Sequence, residues 1–316
     1  MNDVAWAELS NSLIYSAIAV YALAFLGYCA FAAGRSTTPA PLPEMSVAAG
    51  AAGTAPYPEE AIPSGEPTPA GRTQFLGAAA ISLTTLAFGL HAASIASRGI
   101  AAGRAPWGNM YEFVLVCSLA AAGAFLATVR RRPIQALGVW VSALVLIALG
   151  LAVTVLYTPA GALVPVLNSY WLVIHVAAAM IGGGVFTVGF IATTAFLVRT
   201  RLDRRGRRTG MLPSTETLGQ VAHAAHMFAF PVWTFAVIAG AIWAENSWGR
   251  YWGWDPKETW AFITWVLYAA YLHAQATAGW RGVKASWFAI AGYAAFVFNF
   301  FGVNMWITGL HSYAGV

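Results

Sequence analysis

Charged residues are scarce in this chain. They make up 9% of its 316 residues, whereas apolar residues make up 59%, and the mean hydropathy is +0.64. Several apolar stretches come near or exceed the ~20 residues that a helix needs to cross a bilayer, and a soluble domain could not bury them all. The composition therefore excludes a soluble globular protein and predicts an all-α, polytopic membrane helix bundle.

Cysteine is also scarce. Cys29 and Cys117 fall in separate apolar stretches and form no C-x-x-C motif, so they are interpreted as small packing residues rather than as redox thiols. The sequence has no phosphate-binding glycine loop, no H-E-x-x-H motif and no serine triad, so the corresponding phosphate-binding, metalloprotease and serine-hydrolase chemistries are not indicated.

Eight apolar stretches predict about eight transmembrane helices, with both termini on the same side. They cover roughly residues 11–33, 73–97, 110–129, 134–157, 171–198, 217–243, 259–278 and 285–308.

The positions of the basic residues predict which side that is. Of the 17 Lys and Arg residues, four lie in one set of connections, namely Arg98, Arg104, Arg250 and Lys257, and the other 13 lie in the opposite set. Basic residues near span ends are retained in the cytoplasm, so both termini are predicted to be extracytoplasmic. The basic run at 199–208 then acts as a topology determinant and contacts lipid headgroups, and no nucleic-acid partner is indicated.

Residues 35–72 differ from the rest of the chain, because eight of its 15 prolines fall within 36–71 amid Ala, Gly, Ser and Thr. This composition predicts a disordered cytoplasmic linker between an N-terminal transmembrane helix (1–34) and a seven-helix core (73–316). Such a linker would let the first helix sit apart from the core, against a partner; the alternative is a tolerated insertion.

Five of the 14 tryptophans are gathered in residues 243–260, WAENSWGRYWGWDPKETW, between two apolar runs. An ordinary interfacial belt would scatter tryptophans over every span end. Rigid aromatic surface gathered in one segment instead predicts a platform for a large planar ligand such as porphyrin. The residues expected to form this platform are Trp248, Tyr251, Trp252, Trp254 and Trp260.

The six histidines sort into two layers by depth, which matters because imidazole in a membrane serves ligation, proton transfer or polar packing. His175 lies only ~6 Å into its span from the outer end, and His311 follows the last span, so both are level with the tryptophan segment. Two imidazoles approaching from opposite faces would make a six-coordinate haem iron. The alternative for each is an interfacial hydrogen-bonding residue.

The inner layer consists of His273, ~20 Å beyond Trp260, together with His223 and His226, which share one helix face. One of the latter two could oppose His273 across a second iron. Interhelical hydrogen bonding without metal is the alternative for each. His91 is expected only to pack.

Polar groups at the outer level are candidates for the carboxylates at a porphyrin rim. They are Arg250, Lys257, Arg104 and the backbone of residues 107–109, which includes Asn109. Asp255, followed by Pro256, is expected mainly to cap the helix that starts there; the alternative is that it orients a ligand histidine or a basic residue, and direct contact with the porphyrin is a secondary expectation. Glu112 and Glu258 are expected to pair with the external basic residues rather than to act in acid–base catalysis.

Several motifs resemble one known family. Residues 248–260 are similar to the WWD signature of haem-handling membrane proteins. The segments TWVLYAAYLH (264–273), GWRG (279–282), FGVN (301–304), GLHSY (309–313), APWGNMYEF (105–113) and LNSYWLVIHV (167–176) resemble the CcsA/ResC family of System II cytochrome c biogenesis. The resemblance covers about residues 73–316. At AHAAH (222–226) the chain departs from the Tyr-Arg type of sequence expected there, so the role of His223 and His226 stays open.

The resemblance implies that His175 and His311 are the external haem ligands and that His273 is the membrane-embedded one. It implies delivery of haem b across the cytoplasmic membrane and thioether attachment to the C-x-x-C-H motif of apocytochrome c. The chain would act as a subunit of a holocytochrome c synthase, with a Ccs1/ResB-type subunit that supplies the opposing inner histidine and a thioredoxin-like reductant nearby. The alternatives are a fixed dihaem electron carrier of the cytochrome b type, or a permease for another flat aromatic compound.

Overall fold

A computed structural model describes residues 2–37, 69–161, 169–207 and 210–310, and every regular element in these ranges is a helix. The long helices are α1 (Asp3–Thr37), α2 (Pro69–Ala102), α3 (Met110–Val129), α4 (Gly138–Thr154), α5 (Tyr170–Arg204), α6 (Thr215–Trp248), α7 (Pro256–Ala276) and α8 (Val283–Val297). A short 3₁₀ helix (Gln135–Leu137) precedes α4, and a π-helix (Phe298–Gly302) joins α8 to the short α9 (Val303–Trp306).

Seven helical segments in the described part of the chain are long and apolar enough to cross a membrane, the last being Val283–Trp306, which joins α8 to α9. The chain is therefore an all-α, multi-pass membrane protein, as predicted. The remaining predicted span, 259–278, corresponds to α7, which has 21 residues and is not among the seven. Helix α7 is less apolar because it carries Lys257 and Glu258 in its first turn and His273 and Gln275 near its end.

Hydrogen bonds between connections define the two ends of the bundle. At one end, which we call the tryptophan end, Ser10 of α1 bonds to Ser94 of α2 (2.9 Å). Lys257 at the start of α7 bonds there to Asn304 of α9 (2.9 Å), whose amide contacts Met110 at the start of α3. The loop that precedes α3 therefore lies at the same end as the tryptophan segment, in agreement with the grouping predicted from the basic residues.

The opposite end is marked by contacts from the other group of basic residues. Arg35 at the end of α1 donates to the Gly210 carbonyl (2.9 Å), and Arg132 after α3 donates to Gln220 of α6 (2.7 Å). Arg199 near the end of α5 pairs with Asp203 (2.8 Å). The segregation of basic residues seen in the sequence is thus also a segregation in space.

Helix α1 is part of the bundle rather than separate from it. The Tyr28 hydroxyl bonds to Thr84 of α2 (3.1 Å), and its ring lies directly against Gly138, the first residue of α4. A side chain at Gly138 would overlap that ring, so the two helices approach closely only because glycine stands there. The expectation that the first helix sits apart is not met, and most of the predicted linker lies outside the described residues.

Helix α5 occupies a central position through its glycine run. A Cβ atom at Gly184 would lie 2.6 Å from both the Ala120 Cβ and the Ala121 backbone nitrogen of α3, and one at Gly183 would overlap the ring of Phe296 in α8. These glycines therefore allow neighbouring helices to pack closely against α5. It brings α3, α5 and α8 together beneath the tryptophan segment.

Candidate functional site

A pocket of about 1070 Å³, counting its open mouth, lies at the tryptophan end of the bundle. Its wall is formed by residues from α3, α5, α6, α7 and the α8–α9 segment, together with Trp107 and Gly108 of the loop that precedes α3. Its wall is mostly apolar and aromatic and carries a few convergent polar groups, as is typical of cofactor sites.

His175 stands in the wall of this pocket, half-buried in the second turn of α5. Its Nδ1 lies 2.8 Å from the Ala236 carbonyl oxygen of α6. Because a carbonyl only accepts, Nδ1 must carry the proton, and in a neutral ring Nε2 then carries the lone pair that a metal ion would use. The ring is stacked near Trp243 (centroids 6.2 Å apart, planes 11° apart), which holds its plane.

Gly240 of α6 makes room for this imidazole. A Cβ atom at position 240 would lie 2.7 Å from both the Nδ1 and Cε1 atoms of His175, closer than real contacts allow. The position and tautomer of His175 therefore both depend on α6, through one carbonyl and one glycine.

The predicted aromatic platform is only partly on the pocket wall. Tyr251 and Trp252 line the pocket, and Trp248 packs edge-on against Trp243 (5.0 Å) behind it. Trp254 is 65% exposed and does not line the pocket, and Trp260 packs against Phe298 of the π-helix (4.3 Å).

Trp254 has an uncommon backbone conformation, with φ at 57°. A bulky residue in this left-handed region is strained and needs surrounding structure to hold it there. The backbone N–H groups on both sides of it, those of Gly253 and Asp255, donate to the Glu258 carboxylate (2.8 and 3.1 Å). This holds the indole of Trp254 outward at the tryptophan end, where it meets Phe262 edge-on (6.0 Å).

Asp255 caps α7, as its position before Pro256 predicts. Its side chain accepts from the Lys257 backbone N–H (3.3 Å), and Glu258 completes a capping box. Asp255 also accepts from the Leu310 backbone N–H (2.8 Å). The residue after Leu310, His311, lies outside the described residues, but the chain leading to it is thus attached to the tryptophan segment.

The four basic residues predicted at this end have different surroundings. Among the described residues, Lys257 is the one basic side chain on the pocket wall, and its Nζ donates to the Asn299 carbonyl (2.8 Å) and to Asn304. Loss of hydration on burial lowers the pKa of its ammonium group to about 7, and the nearby Asp255 charge opposes this shift. Arg250 is exposed, with its guanidinium over Gly253.

Arg104 and Arg98 both pair with Glu112 instead of facing the pocket. Glu112 is fully buried and accepts from Arg98 (2.8 Å), from Arg104 (2.8 Å) and from the Gly108 backbone (2.7 Å). Asn109 caps α3 by accepting from the Glu112 backbone (3.0 Å). The pairing predicted for Glu112 is present. Glu258, in contrast, bonds to backbone N–H groups, as described for Trp254.

The structure does not bring His273 together with His226 or His223. His226 is fully buried, bonds to Thr193 (3.0 Å) and packs among Phe186, Tyr268 and Tyr271. His273 is exposed on α7, two residues beyond Tyr271 and so on a different face of that helix.

His223 is half-buried near Tyr271 (6.3 Å), on the Tyr271 face and not on the His273 face. Two histidine pairs within this one chain, as a dihaem electron carrier would need, are therefore not found among the described residues. His91 is completely buried and meets Tyr21 edge-on (6.1 Å), which agrees with the packing role expected for it.

The side chains of three tryptophans on the pocket wall were not predicted to contact a ligand, although the backbone of one of them, Trp107, was. Trp107 and Trp233 line the pocket, as does Trp243, the first residue of the tryptophan segment. The sequence indicated Trp107, because this residue lies in the motif at 105–113. It did not indicate Trp233, since a single tryptophan in an apolar helix is common.

Comparison with known proteins shows which family this chain resembles. The family model described as cytochrome C assembly protein matches residues 107–311, from the pocket loop to His311. CcsA cytochrome c biogenesis proteins are similar over three quarters of the chain: that of Synechococcus elongatus is 31% identical over 75% of this chain and 87% of its own length, and that of Gloeothece citriformis is 32% identical over 76% and 88%.

The chain belongs to the CcsA family. Family membership supports a role in cytochrome c maturation that involves haem. A solved structure named cytochrome c haem lyase CcmF has a similar fold, with a TM-score of 0.65 at 18% identity; the match covers 95% of this CcsA-family chain and 47% of that chain.

Proposed function

We propose that this chain delivers haem b across the cytoplasmic membrane and presents it in the pocket at the tryptophan end for covalent attachment to apocytochrome c. The observation that supports this most strongly is His175. It stands in the wall of the aromatic pocket at the tryptophan end, with Nδ1 bonded to a carbonyl and its ring beside an indole. That is the setting of a metal-binding imidazole, whose second nitrogen is usually held by such a partner.

The residues present fit haem. The wall supplies flat aromatic surface from Trp243, Trp252 and Trp233, and Lys257 offers a positive charge for a propionate. We assign His311 as the second axial ligand, because Asp255 attaches the preceding residue to the tryptophan segment. The distribution of basic residues supports an extracytoplasmic position for this site.

The bond-forming step is the addition of a cysteine thiol across a haem vinyl group. A sulfur–carbon bond forms, the vinyl double bond becomes single, and the thiol hydrogen ends on the other vinyl carbon, so the addition itself has no net redox change. The protein's contribution would be positioning: the aromatic wall would orient the ring, His175 would bind the iron, and Lys257 would hold a propionate at the polar rim. A C-x-x-C-H segment of apocytochrome c would approach from the open mouth of the pocket.

A partner subunit of the Ccs1/ResB type would complete the synthase. His273 is exposed on α7 and turned away from His223 and His226 in the same chain, which suits a ligand whose opposing histidine comes from another protein. A thioredoxin-like reductant would keep the cysteines of apocytochrome c as thiols.

The test replaces His175 and His311 by Gly, one at a time, in cells that depend on this chain for cytochrome c. Each variant should lose most cytochrome c maturation, and free imidazole in the medium should restore part of it by entering the vacated ligand position. His91→Gly serves as the matched control for a buried histidine outside the site, where imidazole should restore nothing. Unchanged maturation in both ligand variants would remove the assignment.

A further inference from the structure

The carboxylate of Asp255 joins two parts of the chain that are 55 residues apart. Its Oδ1 accepts from the Leu310 backbone N–H (2.8 Å), and its Oδ2 accepts from the Lys257 backbone N–H (3.3 Å). The residue is only 7% exposed. A nearly buried carboxylate thus connects the start of α7 with the segment that precedes His311.

Capping α7 does not by itself require aspartate. Ser, Thr and Asn cap helices about as well, since a cap needs one accepting oxygen. A carboxylate offers two accepting oxygens, and here each serves a different segment. The second oxygen is therefore explained by Leu310 and not by the helix.

Gly309 is adapted to the same contact. A Cβ atom at position 309 would lie 2.7 Å from the Asp255 Oδ1, so any side chain there would push the two segments apart. Asp255 in turn is held in place, because its own backbone N–H donates to Glu258 (3.1 Å) within the capping box. Asp255 is therefore held in place by α7 itself, whereas the position of residues 309–310 depends on their contact with Asp255.

We propose that Asp255 is a positioning residue for haem ligation: by holding residues 309–310 against the tryptophan segment, it places His311 for binding iron. This inference rests on the proposed function, and specifically on His311 as an axial ligand.

The experiment records the absorption spectrum and haem content of the full-length chain, purified together with its partner subunit. The variants are Gly309→Ala, which leaves the cap of α7 intact, and Asp255→Ser, which keeps a capping oxygen but is too short to reach Leu310. His311→Gly is the reference for loss of the ligand. Gly161→Ala is the matched control, because it lies at the same end of the bundle and has nothing within 4 Å of its Cβ position.

We expect both Gly309→Ala and Asp255→Ser to bind haem but to convert a large part of it from the six-coordinate low-spin form to the five-coordinate high-spin form. Added imidazole should return it to the low-spin form, as in His311→Gly, and Gly161→Ala should match the unmodified protein. The inference is overturned if His311→Gly loses the low-spin form while Gly309→Ala and Asp255→Ser retain it. A low-spin spectrum in His311→Gly itself would overturn the ligand assignment, and with it this inference.

Discussion

Among single residues, His175 and the contacts that hold it matter most for the proposed haem site. One carbonyl of α6 sets its tautomer, and Gly240 of the same helix leaves the space that its ring occupies. Counting residues along a helix was enough to predict that His175 lies level with the tryptophan segment. It could not reveal Gly240, because the meeting of two helices at that point is a matter of packing that no local pattern encodes.

Gly240→Ala should therefore act on the haem site without touching haem. The new methyl group would displace the imidazole and weaken the Nδ1 bond to Ala236, and losses of such supporting contacts typically cost 10–100-fold in metal affinity. We expect haem affinity of the purified protein to fall by about tenfold or more. Gly219→Ala, on the same helix and with ordinary contact distances, is the control and should bind haem normally.

Lys257 makes a second prediction, about pH. Its pKa of about 7 means that it is charged below neutrality and largely neutral above it. A bound carboxylate favours the charged form, so haem affinity should be highest below pH 7 and should fall as pH rises from 7 to 9, by at most about tenfold per pH unit. Lys257→Arg stays charged over this range and should flatten the profile in a titration of haem binding; an equally steep profile in that variant would exclude Lys257 as the source.

At the scale of elements, Glu112 organises the loop before α3. It ties Arg98 at the end of α2, Arg104 and the Gly108 backbone together, and the same loop carries Trp107 into the pocket wall. The sequence indicated that Glu112 would pair with external basic residues. It did not indicate that Arg104 is thereby turned away from the ligand, since pairing partners in a loop are decided by tertiary contacts.

Glu112→Gln should destabilise the protein strongly. It leaves Arg98, which is 2% exposed, as a buried charge without its carboxylate, and breaking such pairs costs about 3–5 kcal/mol. We expect the thermal midpoint in detergent to fall by roughly 6 °C or more. Asp203→Asn removes the carboxylate of a more exposed arginine pair, and its effect should be within about 1 kcal/mol. Equal effects of the two changes would contradict the role given to Glu112.

At the scale of the whole molecule, hydropathy and charge were sufficient to predict an all-helical bundle and its two chemically distinct ends. They did not predict the features that depend on how the helices pack. Helix α1 is incorporated beside α2 and α4 through Tyr28 and Gly138, although a Pro-rich segment follows it. Depth alone grouped His273 with His223 and His226. The latter two lie near Tyr271 of α7, and His273, two positions beyond Tyr271, points from a different face of that helix.

In the molecule as a whole, the two ends of the bundle carry different side chains. The tryptophan end has a pocket with an imidazole, indoles and one lysine on its wall. The other end holds arginine contacts such as Arg35 to Gly210 and has His273 nearer to it, exposed on the surface. A single-chain electron carrier would need paired histidines at both levels, and the inner level lacks such a pair among the described residues. A synthase that shares its inner ligand with a partner does not need one.

If His175 and His311 hold haem in the outer pocket, absorption spectroscopy of the purified complex loaded with haem should show a Soret band with the six-coordinate low-spin signature. His175→Gly and His311→Gly should each shift the spectrum to a five-coordinate form, which imidazole reverses. A protein that binds no haem, or one whose low-spin spectrum survives the loss of both histidines, would show that these residues are not the ligands.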